Sequence, residues 1–118
     1  NLIPVKFDGL TLNCGSLKLS GFSGLPKNTE LVLGVRPDVL APNNAGQFKM
    51  RVDLVEQHGG ENLVYGALDG VANDDGDELD ICMKAGKDML PDLDSNLTLN
   101  FDPSTAFVFR KDTGERLI

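Results

Sequence analysis

The chain contains no tryptophan, one tyrosine, one histidine and two cysteines. Each scarcity removes a class of function. General acid–base work at His58 needs a nucleophile or metal ligands at matching geometry, and Glu56-Gln57-His58-Gly59-Gly60-Glu61 supplies neither. One histidine and two distant cysteines, Cys14 and Cys82, make a poor zinc set. The same two cysteines allow one disulfide, but two buried or half-buried thiols of a reducing cytoplasm are the blander reading. Basic residues are also short: 11 against 18 acids, a net charge of −7. Such a chain repels a phosphate backbone. With aromatics at 6%, it also lacks the stacking platform of a single-strand nucleic-acid binder. No apolar run approaches the roughly 20 residues of a membrane-spanning helix. The first residues do not read as a signal peptide, and an opening on Asn1 is expected of a fragment or processed form.

What is present is alternation. From Phe48 to Leu54 every other residue is apolar and every intervening one charged, the pattern of a half-buried strand. Weaker versions recur at Ile3-Val5-Phe7, Leu10-Leu12-Cys14, Leu17-Leu19 and Leu31-Leu33-Val35. They continue at Leu63-Tyr65-Ala67, Leu79-Ile81-Met83, Leu97-Leu99-Phe101 and Phe107-Phe109. Turn formers separate them, among them Asp8-Gly9, Gly59-Gly60, Asp75-Gly76 and Thr113-Gly114. Roughly nine short strands at intervals of about 8 to 12 residues predict an all-β sandwich or barrel. Helical spacing is nearly absent; Lys87 to Leu93 is long enough for one turn, which Pro91 limits. At 118 residues, one domain with its own core is expected. The acidic stretch from Asn73 to Glu78 reads as a solvated loop between strands.

The tempting motifs fail on spacing. Gly86-Lys87 is followed by Asp88 rather than Ser or Thr, and Ile81 stands where a phosphate loop needs its first glycine. A calcium loop turning at Gly76 would begin on Val71 and end on Cys82 instead of glutamate. Asn96-Leu97-Thr98 matches a glycosylation pattern too short to carry weight without a secretion signal. No catalytic, cofactor-binding or metal-ligating residue is therefore expected.

One local pattern stands apart. In Leu33-Gly34-Val35-Arg36-Pro37-Asp38 an arginine sits between a strand and a proline. Pro37 bars the helical region for the residue before it and fixes Arg36 in an extended conformation. The guanidinium can then tie several acceptors, with Asp38 or Glu61 as the carboxylate. A structural corner is the preferred reading; an arginine facing an anion or a partner is the alternative.

Three motifs follow one another in a specific order: LGVRPD at 33–38, VEQHGGENLVYGAL at 55–68 and FDPSTAFVFRKDTGERL at 101–117. Together they resemble the C-terminal regulatory domain (TOBE/MOP-like) of the ATP-binding subunit of bacterial sugar-importing ABC transporters, the maltose and sn-glycerol-3-phosphate importers among them. The resemblance covers essentially residues 1–118. Gly34, Arg36, Pro37 and Asp38 match the first motif, with Asp38 where glutamate is usual. Glu56, Gly59 and Glu61 match the second; Phe101, Asp102, Pro103, Phe109, Thr113, Gly114, Arg116 and Leu117 match the third. A histidine common before the final phenylalanine pair is missing near Phe107, and Gln57-His58 also departs from the usual pattern.

The resemblance implies an OB-fold-type small barrel with a second, smaller barrel-like part, in which the two chain ends pair. It implies a regulatory and dimer-stabilising domain of an ABC importer ATPase, not itself an enzyme. The nucleotide-binding domain, with ATP and Mg, is expected upstream. Implied partners are a second ATPase subunit, the transporter's membrane subunits and a regulatory protein, with a place on the cytoplasmic side of the membrane. Candidate interface residues are Gly60, Glu61, Glu115 and Arg116. The alternative is a stand-alone oxyanion module of the molybdate-binding type, for which Met83-Lys84-Ala85 is the faint signal. Fold alone does not choose between them.

Overall fold

A computed structural model describes residues 1–118. Ten strands form two antiparallel five-stranded sheets. The first has the order β10 (Phe107–Arg110), β4 (Leu31–Gly34), β1 (Leu2–Phe7), β2 (Leu12–Cys14), β3 (Leu17–Leu19). The second runs β5 (Ala41–Pro42), β9 (Asn96–Asn100), β6 (Phe48–Gln57), β7 (Glu61–Ala72), β8 (Glu78–Gly86). The chain is all-β, with the curled, OB-fold-like form that the resemblance implied. Each of the nine alternating runs falls on a strand, with Leu10, Val35 and Phe101 just beyond the strand ends. The tenth, β5, is only two residues long and has no alternation to read.

The chain ends do share a sheet, through β4. Leu2 and Phe107 both face Gly34 across it, on opposite sides. The inward residues of this sheet, Ile3, Val5, Leu31, Leu33 and Val108, meet Met50, Val52, Val64, Met83 and Leu99 from the other in one continuous core. Phe48 and Phe101 meet within it at a tilt of 59°, ring centroids 6.0 Å apart.

Two expectations of phase are corrected. Leu63 and Tyr65 do not face inward; Val64 and Leu68 do, and Asn62 with them. Both faces of β7 are apolar over this stretch, so alternation alone leaves its phase undecided. Leu54 also faces out, 52% exposed. The β6–β7 register slips between Val52 and Leu54, leaving Asp53 unpaired. This bulge turns the residues beyond it to the other face.

The Lys87–Leu93 segment forms no helix. Asn62, buried, donates its amide to the carbonyls of Gly86, Lys87 and Met89 at 3.3, 3.1 and 2.8 Å. A loop thus fastened has its backbone partners supplied by a side chain, so a helical turn gains nothing there.

The sheets are stitched by close backbone approaches. Beyond Ala67 the β7–β8 pairing lapses. The Gly70 carbonyl there accepts from the Ser16 N–H at 3.2 Å, bringing the β2–β3 turn onto β7. A Cβ on Gly15 would fall on that carbonyl, and one on Gly70 would fall on Ser16 Oγ. The acids after β7 are partly used: Asp74 pairs with Lys111 at 2.9 Å and Glu78 takes both terminal nitrogens of Arg51. Asn1 makes another tie. Its side-chain amide donates to the Cys82 carbonyl at 2.8 Å and accepts from the Cys82 N–H at 2.7 Å.

Gly66 lies opposite Val52 at the bulge. A Cβ there would fall on the Arg51 carbonyl oxygen and within 2.7 Å of Met50 Cγ. Gly66→Ala is expected to destabilise the fold by about 1 to 3 kcal/mol through overpacking against backbone. Urea unfolding checks this, and a midpoint equal to that of the unsubstituted chain would show that the bulge yields.

Candidate interaction surfaces

Arg36 leaves the end of β4 extended, at φ −68° and ψ 145°, as the following proline requires. Its side chain is not the buried bridge of the corner reading. It is 60% exposed and meets Asp38, itself 50% exposed, at 3.5 Å. Glu61 is not its partner, because Lys84 takes that carboxylate at 2.9 Å. Glu61 holds the Lys84 pKa above its ordinary value, with a further pull from Asp38. The 3₁₀ turn Pro37–Val39 packs on β8, so the first two motifs adjoin through Lys84. That pairing also occupies the lysine of Met83-Lys84-Ala85, the oxyanion-type signal.

The third motif divides. Phe101 is core. Asp102 caps the turn Pro103–Thr105, accepting from Ser104 N at 2.9 Å and Ser104 Oγ at 2.8 Å. These bonds hold its carboxyl below its usual pKa. Pro103 packs against Gly21, whose added Cβ would come within 2.5 Å of Pro103 Cγ. The rest of the motif reaches the surface. Gly114 turns the chain at φ 73°, and Thr113 Oγ1 accepts from Glu115 N at 3.2 Å. Glu115 pairs with Arg110 at 3.5 Å, and Arg116 lies 4.4 Å over the Phe107 ring.

Two exposed faces result. The outer face of the β1–β4–β10 sheet carries an apolar groove of about 250 Å³ bounded by Leu2, Val35, Pro37, Phe107 and Phe109. Gly34 is its floor: an added Cβ would meet Leu2, Phe107 and Phe109 at 3.5 to 3.8 Å. Arg36 and Arg116 stand at its margins.

The second face belongs to the β6–β7 hairpin. Leu54 lies beside Tyr65, Leu63 beside Glu56 and Lys84, and Tyr65 beside Cys82. Leu63 and Tyr65 are half-exposed. The Glu56 carboxylate pushes the Tyr65 hydroxyl up to about 12. Burial raises both cysteine thiols, which are free and lie in different sheets. The hairpin ends at Gly59 and Gly60, where the His58 N–H donates to the Glu61 carbonyl at 2.8 Å and φ of Gly59 is 81°. Of the candidate interface residues, Gly60 and Glu61 therefore lie at the hairpin end and Glu115 and Arg116 beside the groove, on different sheets.

Sequence reasoning missed Leu2, Leu63 and Tyr65 as surface residues and Asn62 as a buried fastener. For Asn62 the signal was a polar residue two positions before Val64, in the inward phase. Arg36→Ala is expected to cost under about 1 kcal/mol, the range of an exposed ion pair. Asn62→Ala is expected to cost about 1 to 3 kcal/mol, because the Lys87 and Met89 carbonyls lose their donor while Gly86 keeps only the Met89 N–H. Melting both variants ranks them; a larger loss at Arg36 would restore the corner.

No protein-family profile matches the chain. It is 54% identical over 117 residues to the sn-glycerol-3-phosphate import ATP-binding protein UgpC of Roseobacter denitrificans, a match covering 99% of this chain and 33% of that protein. It is 38% identical over 71 residues to the protein of the same name from Ruegeria pomeroyi, covering 59% of this chain and 20% of that one. The chain thus spans about a third of the length of the first of these relatives. Along essentially all its own length it is similar to part of an sn-glycerol-3-phosphate import ATP-binding protein, the resemblance that its three motifs carry.

Proposed function

We propose that this chain is the regulatory, dimer-stabilising domain of the ATPase subunit of an ABC-type importer for a sugar or related solute. In this reading ATP and Mg bind elsewhere in the subunit, and residues 1–118 perform no hydrolysis. The subunit sits on the cytoplasmic side of the membrane against the transporter's membrane subunits. The relatives' name supports the importer setting.

The observation that carries the dimer role is the hairpin face. Leu54, Leu63 and Tyr65 put apolar surface outside the core. Around it stand charges of both signs, Glu56 and Glu61 against Lys84. A symmetric contact uses the same patch from both copies, so a mixed rim can meet itself with acid against base. Contact through such a face is weak between free domains. Tethered to subunits already held by a transporter, it becomes effectively intramolecular, at local concentrations of about mM for short connections. The pair then stays together while its nucleotide domains separate.

Sedimentation of the full ATPase subunit with and without residues 1–118, free of nucleotide, tests the role. The intact subunit is expected to associate more strongly, and Leu63→Asp should remove most of the difference. Equal association of all three proteins would sink the tethering role.

A further inference from the structure

The groove on the first sheet carries an inference that stands apart from the import reading. Its floor is kept low by Gly34, and Leu2, Phe107 and Phe109 form its apolar walls. What distinguishes the groove is the state of its two arginines. The Arg116 guanidinium is stacked on Phe107 with its carbon 4.4 Å from the ring centroid. Stacking fixes the plane and leaves the N–H edges free. Its Nε donates to the Ile118 carbonyl at 3.2 Å, and its terminal nitrogens meet no acceptor in the protein. A guanidinium has five N–H donors, so four remain unclaimed. Arg36, at the other margin, has only the long, exposed contact with Asp38. The rim carries acids as well, Asp38 beside Arg36 and Glu115 paired with Arg110, so its unclaimed capacity is the set of free Arg116 donors.

We infer that the groove receives a segment of another protein in which a large apolar side chain is flanked by carboxylates. The apolar side chain lies over Gly34 between Leu2, Phe107 and Phe109. One carboxylate takes the terminal N–H pair of Arg116 in bidentate fashion, and another is drawn to Arg36. The pre-set plane of Arg116 lowers the ordering cost of that pair, and partial dehydration by the seated side chain strengthens it. A second copy of this chain is the poorer occupant. A twofold contact through the groove would bring the same surface from both copies, setting unclaimed Arg116 donors against the partner's own donors with no free carboxylate of the groove between them. The groove and the hairpin face would thus serve different partners.

The probes are two short synthetic peptides labelled with fluorescein. One has a central Phe-Leu pair between glutamates; in the other, lysines replace the glutamates. Anisotropy titrations with the 118-residue chain are combined with backbone amide shifts. The acidic peptide is expected to bind, with affinity that falls as salt is added, and to shift Gly34, Phe107 and Phe109, while the basic peptide does none of these. The double variant Arg36→Glu/Arg116→Glu should lose affinity by at least about fivefold, the scale of two reversed surface charges. Gly34→Val fills the floor without touching a charge and should abolish binding. Unchanged amide shifts of core Met50 and Val64 verify that each variant folds. Equal affinity for both peptides, or shifts confined to the hairpin, would overturn the proposal. So would groove signals that move with chain concentration alone, which would mark a second copy as the occupant.

Discussion

Four residues, Leu31 to Gly34, hold hydrogen bonds on both sides, to β1 and to β10. The two ends of the chain are neighbours only because this strand lies between them. Closing a loop of this length costs conformational entropy that the short β4 ladder alone would not offset. Its inward side chains supply the rest, since Leu31 and Leu33 are wholly buried in the common core. The outward side of the same strand ends on Gly34, and the absence of a side chain there is what makes a groove between Leu2 and Phe107. One strand therefore fixes the core on one face and the candidate binding surface on the other. The chain leaves it through Pro37, which directs the next turn onto β8.

The two sheets meet by backbone as much as by side chains. Gly15 and Gly70 come together where the β7–β8 ladder lapses, and the freed carbonyl is taken by Ser16. A residue with a side chain at either position would hold the sheets apart. Gly66 does the same within one sheet, letting β7 close on the bulge of β6. Curvature here is produced by omission of side chains at a few points, as expected of a small, strongly bent β-structure.

Strand existence was legible because period-two alternation needs only one apolar face, and Phe48 to Val52 show it cleanly. Phase failed where that condition failed. Along Leu63-Val64-Tyr65-Gly66-Ala67-Leu68 both faces are apolar, and only the tertiary arrangement decides which is buried. Leu54 escaped for another reason: a bulge is a relation between two strands, invisible in either one. The motif arginine was legible as special but not as exposed, since its nearest acid, Asp38, stays at the surface beside it. The surface faces were the least legible part. Leu2 and Phe107 lie far apart in sequence and become neighbours only across β4.

The pairing of Asn1 with Cys82 reaches beyond the tie it makes between sheets. β8 is the last strand of its sheet, and its outer row of backbone groups is a template on which a further strand could grow. The Asn1 carboxamide offers the Cys82 peptide one donor and one acceptor, as a neighbouring strand would, but is only one residue wide. It interrupts the row midway along Glu78–Gly86, so a would-be nine-residue ladder is cut into two short pieces. Sheet growth from copy to copy, the opening step of fibril formation, is thereby denied its longest exposed edge, and association is left to the faces.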